Sequence, residues 1–291
     1  MKLNSLFLTA TILISAGVHA DVRVVDDSAN ELVLKAPAKR IISLAPHTTE
    51  LLYAAGAIDE LIAAVDFSDY PAIAKKLPRV GSGYLLDIEK IISLEPDLVV
   101  GWKSGNQQAQ LEYLQQLGLS VYLSEPRNIQ DVADNLRDMG MLLGKSAQAN
   151  KKADEFVYAL TRLRKQYAEA EKVTVFYQVW QQPLFTVNGE HIISHIIDLC
   201  GGVNVFADLP VLSPQVDIEA VISRNPQVIV AGSGEAREDW LDNWKKWSSI
   251  SAVKHQQLYA INADLIVRHT TRIAQGAEIM CAALQKAREA K

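Results

Sequence analysis

The sequence predicts an α/β protein of two lobes, each a mostly parallel sheet covered by helices, with a single long α-helix bridging them. Three observations carry that prediction. Short apolar runs alternate with helical patterns along most of the chain, which is the sequence form of parallel strands joined by crossover helices. The alternation breaks once, over 147–170, where Ala153, Phe156, Val157, Leu160, Leu163 and Tyr167 recur at helical spacing with no Gly or Pro between them. Finally, one segment recurs: Asp87-Ile-Glu-Lys-Ile-Ile-Ser-Leu-Glu-Pro-Asp-Leu-Val-Val lies over Asp217-Ile-Glu-Ala-Val-Ile-Ser-Arg-Asn-Pro-Gln-Val-Ile-Val without a gap. In each copy Asp caps a short helix, the helix stops before Pro, and a buried strand follows.

Taken in order, the chain opens with Lys2, an apolar run from Leu6 to Val18 and then Val18-His19-Ala20, with small side chains at the positions a signal peptidase reads, the pattern of a cleaved secretory signal over 1–20. The expected compartment is therefore outside the cytoplasm. Val22–Val25 and Glu31–Lys35 flank the turn-forming Asp26–Asn30 and read as a hairpin. Arg40–Pro46 is a buried-strand run; Thr48 or Thr49 is expected to cap a helix that Gly56 closes. Strands are expected at 61–65, 98–100 and 121–123, and helices at 87–94, 107–117 and 129–143. These elements make an N-terminal lobe over 21–146. The long helix over 147–170 is a stiff connector, and a strand at 172–177 begins a C-terminal lobe over 171–291.

Composition narrows the function. The net charge is −5, with Lys and Arg scattered among acids, and no basic stripe of the kind nucleic acid requires. The chain has two cysteines, Cys200 and Cys281, neither with the neighbours of a metal site. In an exported protein such a pair reads as a disulfide, here tying the last helix to the body of the second lobe.

Catalytic signatures are missing: there is no Gly-x-Ser-x-Gly elbow, no phosphate-cradling loop and no His-Glu-x-x-His. No catalytic residue and no cofactor is assigned, and the protein is expected not to be an enzyme. His191 and His195 stand at metal-ligand spacing, but Ile192, Ile193, Ile196 and Ile197 crowd the segment and no metal site is assigned. Two lobes on one connector make a cleft, and the loops after strand ends should line it. Those loops offer His47, Phe67, Tyr84, Trp102 and Phe185, with the group Asp264, Arg268 and His269. Aromatic faces among a few polar groups suit a large, partly flat organic ligand better than a bare ion.

Arg40-Ile-Ile-Ser-Leu-Ala-Pro-His-Thr-Thr-Glu-Leu51, Phe67-Ser-Asp-Tyr-Pro71, Asp87-Ile-Glu-Lys-Ile91 and Pro96-Asp-Leu-Val-Val-Gly-Trp-Lys-Ser-Gly-Asn106 together resemble the vitamin B12-binding proteins of ABC importers. Pro183-Leu-Phe-Thr186, Cys200-Gly-Gly202 and Pro214-Gln-Val216 continue the resemblance. It implies a class III periplasmic binding protein fold and a cobalamin or related corrinoid held between the lobes. It further implies a monomer in the periplasm that delivers this ligand to a permease dimer in the inner membrane. Trp102, Phe185, Asp264 and Arg268 match the family's ligand positions. Phe67 stands where a tyrosine is expected, Gly83 and Ser213 where tryptophans are, and Val267 where a glutamate is; Tyr84 adjoins Gly83. The family's permease-docking glutamates fall on Glu89 and Glu219, the pair that the internal repeat also aligns. Haem or a ferric siderophore is the alternative ligand, ahead of a bare metal ion or an exported enzyme.

Overall fold

A computed structural model describes residues 21–233 and 240–290. The predicted signal at 1–20 lies outside the described residues. Strands β1 (Val22–Val25) and β2 (Glu31–Leu34) form the expected antiparallel hairpin. Its turn is held by Asp26, whose Oδ1 accepts from the backbone N–H of Ser28 and of Asn30, both at 2.9 Å.

The first α/β lobe follows as β3 (Ile41–Ser43), α1 (Pro46–Ala55), β4 (Leu61–Ala64), α2 (Ile88–Ser93), β5 (Leu98–Trp102), α3 (Gln108–Gln116), β6 (Val121–Ser124) and α4 (Ile129–Leu142). Its sheet has the order β4-β3-β5-β6, parallel throughout. Helix α5 (Ser146–Gln166) leads to the second lobe. That lobe comprises β7 (Val173–Gln178), α6 (Ile192–Leu199), β8 (Gly202–Asn204), α7 (Ile218–Arg224), β9 (Val228–Ser233), α8 (Ser251–Lys254), β10 (Leu258–Asn262) and α9 (Ile273–Glu289). Its sheet is also parallel, in the order β8-β7-β9-β10. The two sheets therefore share one topology, with the first strand second in line and the second strand at the edge.

The recurring sequence segment occupies the same place in both lobes, as α2–β5 and α7–β9. Asp87 accepts from the Lys90 N–H at 3.0 Å, and Asp217 from that of Ala220 at 2.6 Å. Just past the two helices Glu95 has φ 47° and Asn225 φ 44°, each immediately before a proline. Few non-glycine residues adopt that conformation. Two aligned positions sharing it extend the repeat from sequence to backbone.

The strands alternate between two apolar layers, as the twofold period of a strand requires. On one face Ile41, Leu98, Val100, Val175 and Val230 enter a single core that also takes Ala149, Ala153, Phe156, Leu160 and Leu163 of α5. On the other face Ile42 and Val99 feed a second cluster within the first lobe, and Phe176 and Ile229 a third within the second. Helix α5 thus fills a core common to both lobes, packing on α4 and touching α1, α6 and α9.

Helix α1 begins earlier than the cap reading from Thr48 or Thr49 places it. Pro46 takes the first helical position, where its missing N–H and fixed φ cost nothing, and Ala45 is the N-cap. The two threonine hydroxyls instead bond back to the Ala45 carbonyl, at 2.9 and 3.1 Å. Cys200, just past α6, is disulfide-bonded to Cys281 within α9, as expected. Among the described residues no helix is long and apolar enough to cross a membrane.

Candidate functional site

The C-terminal ends of β3, β5 and β10 lead to His47, Trp102 and the Asp264–His269 segment at the junction of the lobes. The turn after β3 leads into α1 and places His47 in its first turn, buried. Its ring meets the Trp102 indole edge to face, centroids 5.2 Å apart. His47 Nε2 lies 3.3 Å from Ser124 Oγ, whose own proton goes to Asn135 Oδ1 at 2.5 Å. Ser124 thus bridges the His47 ring and the Asn135 amide inside the first lobe. From the second lobe His269 stands 6.3 Å from His47, and His191 stands 6.0 Å from His269, forming a row of three imidazoles across the junction. Burial holds His47 down to about 3, reinforced by His269 and Arg268. Burial holds His191 down to about 3 as well, and it also lowers His269 despite the nearby Glu125 carboxylate and the Pro126 carbonyl. The row is uncharged at neutral pH.

Beside it a clasp of ions joins the lobes. Glu50 of α1 is buried, yet Oε1 accepts from Arg268 at 2.9 Å and from Arg272 at 3.1 Å, while Oε2 accepts from Thr270 Oγ1 at 3.1 Å. Arg268 also reaches Asp69 at 2.6 Å and Asp264 at 3.1 Å. Burial pushes the Glu50 carboxyl up even with both guanidiniums beside it. Burial works against the Arg268 charge, but Asp69 and Glu50 outweigh it and raise its pKa. The Arg272 guanidinium also lies 4.1 Å over the Tyr70 ring, a cation–π contact that pins the Phe67–Pro71 loop.

The remaining candidates are placed as follows. Phe67 has φ 61° and is 78% exposed, on a loop whose buried Ser68 hydroxyl lies 3.0 Å from Thr49 Oγ1. Tyr84 is 71% exposed, on the turn that Ser82 closes by accepting from the Leu85 N–H. Trp102 is half-buried at the end of β5. Across the junction Phe185 is half-buried and forms bridges with Trp180 and Gln215. The structure therefore brings His47, Trp102, Asp264, Arg268 and His269 into one connected group. Phe67 is linked to it through Asp69 of its own loop, and Phe185 stands on the second lobe. Two large aromatic side chains this exposed leave apolar surface for a partner to cover.

Glu89 and Glu219 lie outside this group. Each is exposed at the second position of its helix, α2 and α7, one per lobe. A separate cavity of about 380 Å³ borders Glu219 in the second lobe, walled by Trp240, Trp244 and Trp247, and shares no lining residue with the His47 group. His191 and His195 part company. His191 Nδ1 accepts the Ile193 N–H as the cap of α6, whereas His195 borders a hollow against Val157, Leu160 and Arg164 of α5. Among the described residues no cluster is placed to hold a metal ion.

Sequence reasoning passed over Glu50, Asp69, Thr270 and Asn106. Glu50 stands inside the uninterrupted buried stretch His47–Leu52, which the structure alone reveals, and burying a carboxylate calls for a partner.

Residues 41–265 match the model of the periplasmic binding protein family. The chain is 40% identical over 254 residues to a vitamin B12-binding protein of Vibrio cholerae serotype O1, covering 87% of this chain and 91% of that one. It is 39% identical over 248 residues to a vitamin B12-binding protein of Yersinia pestis, covering 84% and 85%. The crystal structure of the periplasmic vitamin B12-binding protein of Vibrio cholerae superposes with a TM-score of 0.81 at 40% identity, covering 87% of this chain and 98% of that one.

Proposed function

The chain belongs to the periplasmic binding protein family, and we propose that it captures cobalamin or a related corrinoid between its lobes and delivers it to an ABC importer. The observation that carries this reading is identity of 40% with a vitamin B12-binding protein sustained over 87% of the chain. The geometry supports it from below. Trp102, Phe67 and Tyr84 on the first lobe and Phe185 on the second present apolar faces suited to a corrin ring and its side chains. Asp264 and Arg268 at the junction supply polar partners, with Asp69 and Asp264 at the more exposed edge of the ion group. The protein binds without chemistry, in keeping with its membership of a family of binding proteins. It works in the periplasm as a monomer, released there when the signal at 1–20 is removed.

Delivery uses Glu89 and Glu219. Two carboxylates on repeated helices of two like lobes face a permease of twofold symmetry, where opposite charge fixes register and speeds encounter. Both also sit in the first turn of a helix, where an acidic side chain stabilises the helix N-terminus. The test is uptake of labelled cyanocobalamin by cells whose only corrinoid-binding protein is this one. Glu89→Arg with Glu219→Arg abolishes uptake and leaves the affinity of the purified protein unchanged. Unimpaired uptake by the double variant would remove the docking assignment, and failure of the unsubstituted protein to support uptake would remove the transport reading.

A further inference from the structure

We propose that Asn106 is the positioning residue of the ligand cleft, holding Trp102, the Tyr84 loop and the entry to α1 in one register; this rests on reading the junction as the corrinoid site. Asn106 is 6% exposed, and its amide is used on both sides. Oδ1 accepts from the backbone N–H of Trp102 at 2.7 Å. Nδ2 donates to the carbonyl of Leu44 at 2.9 Å and to that of Gly83 at 2.6 Å. These partners belong to three separate segments of the chain. Leu44 follows β3 and precedes the turn to His47, Gly83 precedes Tyr84, and Trp102 ends β5. A carboxamide is the side chain that offers one acceptor and two donors in this arrangement. Aspartate would keep the bond to Trp102 and turn an oxygen toward two carbonyl oxygens.

The turn from Trp102 to Asn106 fixes the indole from a second direction. The N–H groups of Gly105 and Asn106 return to the Trp102 carbonyl at 3.3 and 3.0 Å. A Cβ on Gly105 would lie 1.9 Å from Trp102 Cε3, so the indole occupies the space that any side chain at 105 would need. Trp102 is thus placed by an amide at its backbone and by a bare Cα beneath its ring. Its other neighbour, His47, enters on a segment that the same amide holds. One residue sets the spacing of the aromatic wall.

The test compares the unsubstituted protein with Asn106→Ala, Asn106→Asp and Gly105→Ala, each labelled with 5-fluorotryptophan and kept well below its unfolding temperature. Calorimetric titration with cyanocobalamin reads affinity, and the fluorine spectrum reads each indole separately, with the Trp102 resonance identified through Trp102→Phe. Both Asn106 variants bind about ten- to a hundredfold more weakly, the scale of losing two or three hydrogen bonds that organise a site. Gly105→Ala weakens binding by displacing the ring directly. In all three the Trp102 resonance moves while those of Trp240 and Trp244 stay in place. Binding within about twofold of the unsubstituted protein by folded Asn106 variants overturns the proposal. So does a spectrum in which every tryptophan shifts together, which marks a general loss of structure. If the unsubstituted protein fails to bind cyanocobalamin, the ligand reading falls instead, and the fluorine spectrum alone decides whether Asn106 places Trp102.

Discussion

Glu50 holds three hydrogen bonds from the other lobe and almost no water. Replacing one member of a buried ionic group strands the rest, at a typical cost of about 3–5 kcal/mol. Glu50→Ala is expected to lower the free energy of unfolding by that amount, read from urea denaturation. A loss below about 1 kcal/mol, the range of exposed pairs, would mean that the clasp does not hold the lobes. His47 answers a different question. Its native pKa is near 3 while the unfolded chain titrates near the ordinary value of 6.5, so the unfolded state takes up the proton first. Stability from His47 is complete above that ordinary value and falls as pH drops toward the native one, by about 2 kcal/mol between pH 7 and 5. Asp138, which burial raises to about 6, contributes with the opposite sign below that pH. The comparison is therefore between the unsubstituted protein and His47→Gln, in which the variant loses about 2 kcal/mol less over that interval. Equal pH slopes for the two would show that His47 is not held neutral by burial.

At the scale of elements, much was legible because the signals are local. Apolar runs, turn residues at Asp26–Asn30 and Asp caps at 87 and 217 each announce a strand, a hairpin or a helix within a few residues. The start of α1 was misplaced because Pro46 reads equally as the end of a strand and as the first residue of a helix. The candidate site was legible only in part. His47, Trp102 and Arg268 follow strand ends and could be found by that rule, but no periodicity signals that Glu50 meets Arg268 from 218 positions away. Asn106 was equally silent, since an Asn in a Lys-Ser-Gly-Asn loop reads as a turn residue whatever its amide does. The Cys200–Cys281 bond joins α6 to α9 across 81 residues. Closing a loop of that length removes chain entropy worth on the order of 4 kcal/mol from the unfolded state. Cys200→Ser with Cys281→Ser should therefore unfold at distinctly lower urea concentration, and the unsubstituted protein should match it once reduced. An unchanged midpoint under both treatments would show that the bond adds no stability.

At the scale of the whole molecule, the shared core governs how the protein can move. Helix α5 carries apolar side chains into the layer that also receives β3, β5, β7 and β9. Large rotation of one lobe against the other would have to open that core and break the Glu50 clasp. Small adjustment is cheaper, so a ligand held between the lobes would meet walls nearly in place, and little of the binding energy would go into rearrangement. Calorimetric titration of the purified protein with cyanocobalamin shows whether the junction takes a corrinoid. One ligand is expected per chain at about micromolar affinity or better, near −8 kcal/mol, with quenching of tryptophan fluorescence that Trp102→Phe diminishes. No heat and no quenching at ligand concentrations of about a millimolar would contradict it.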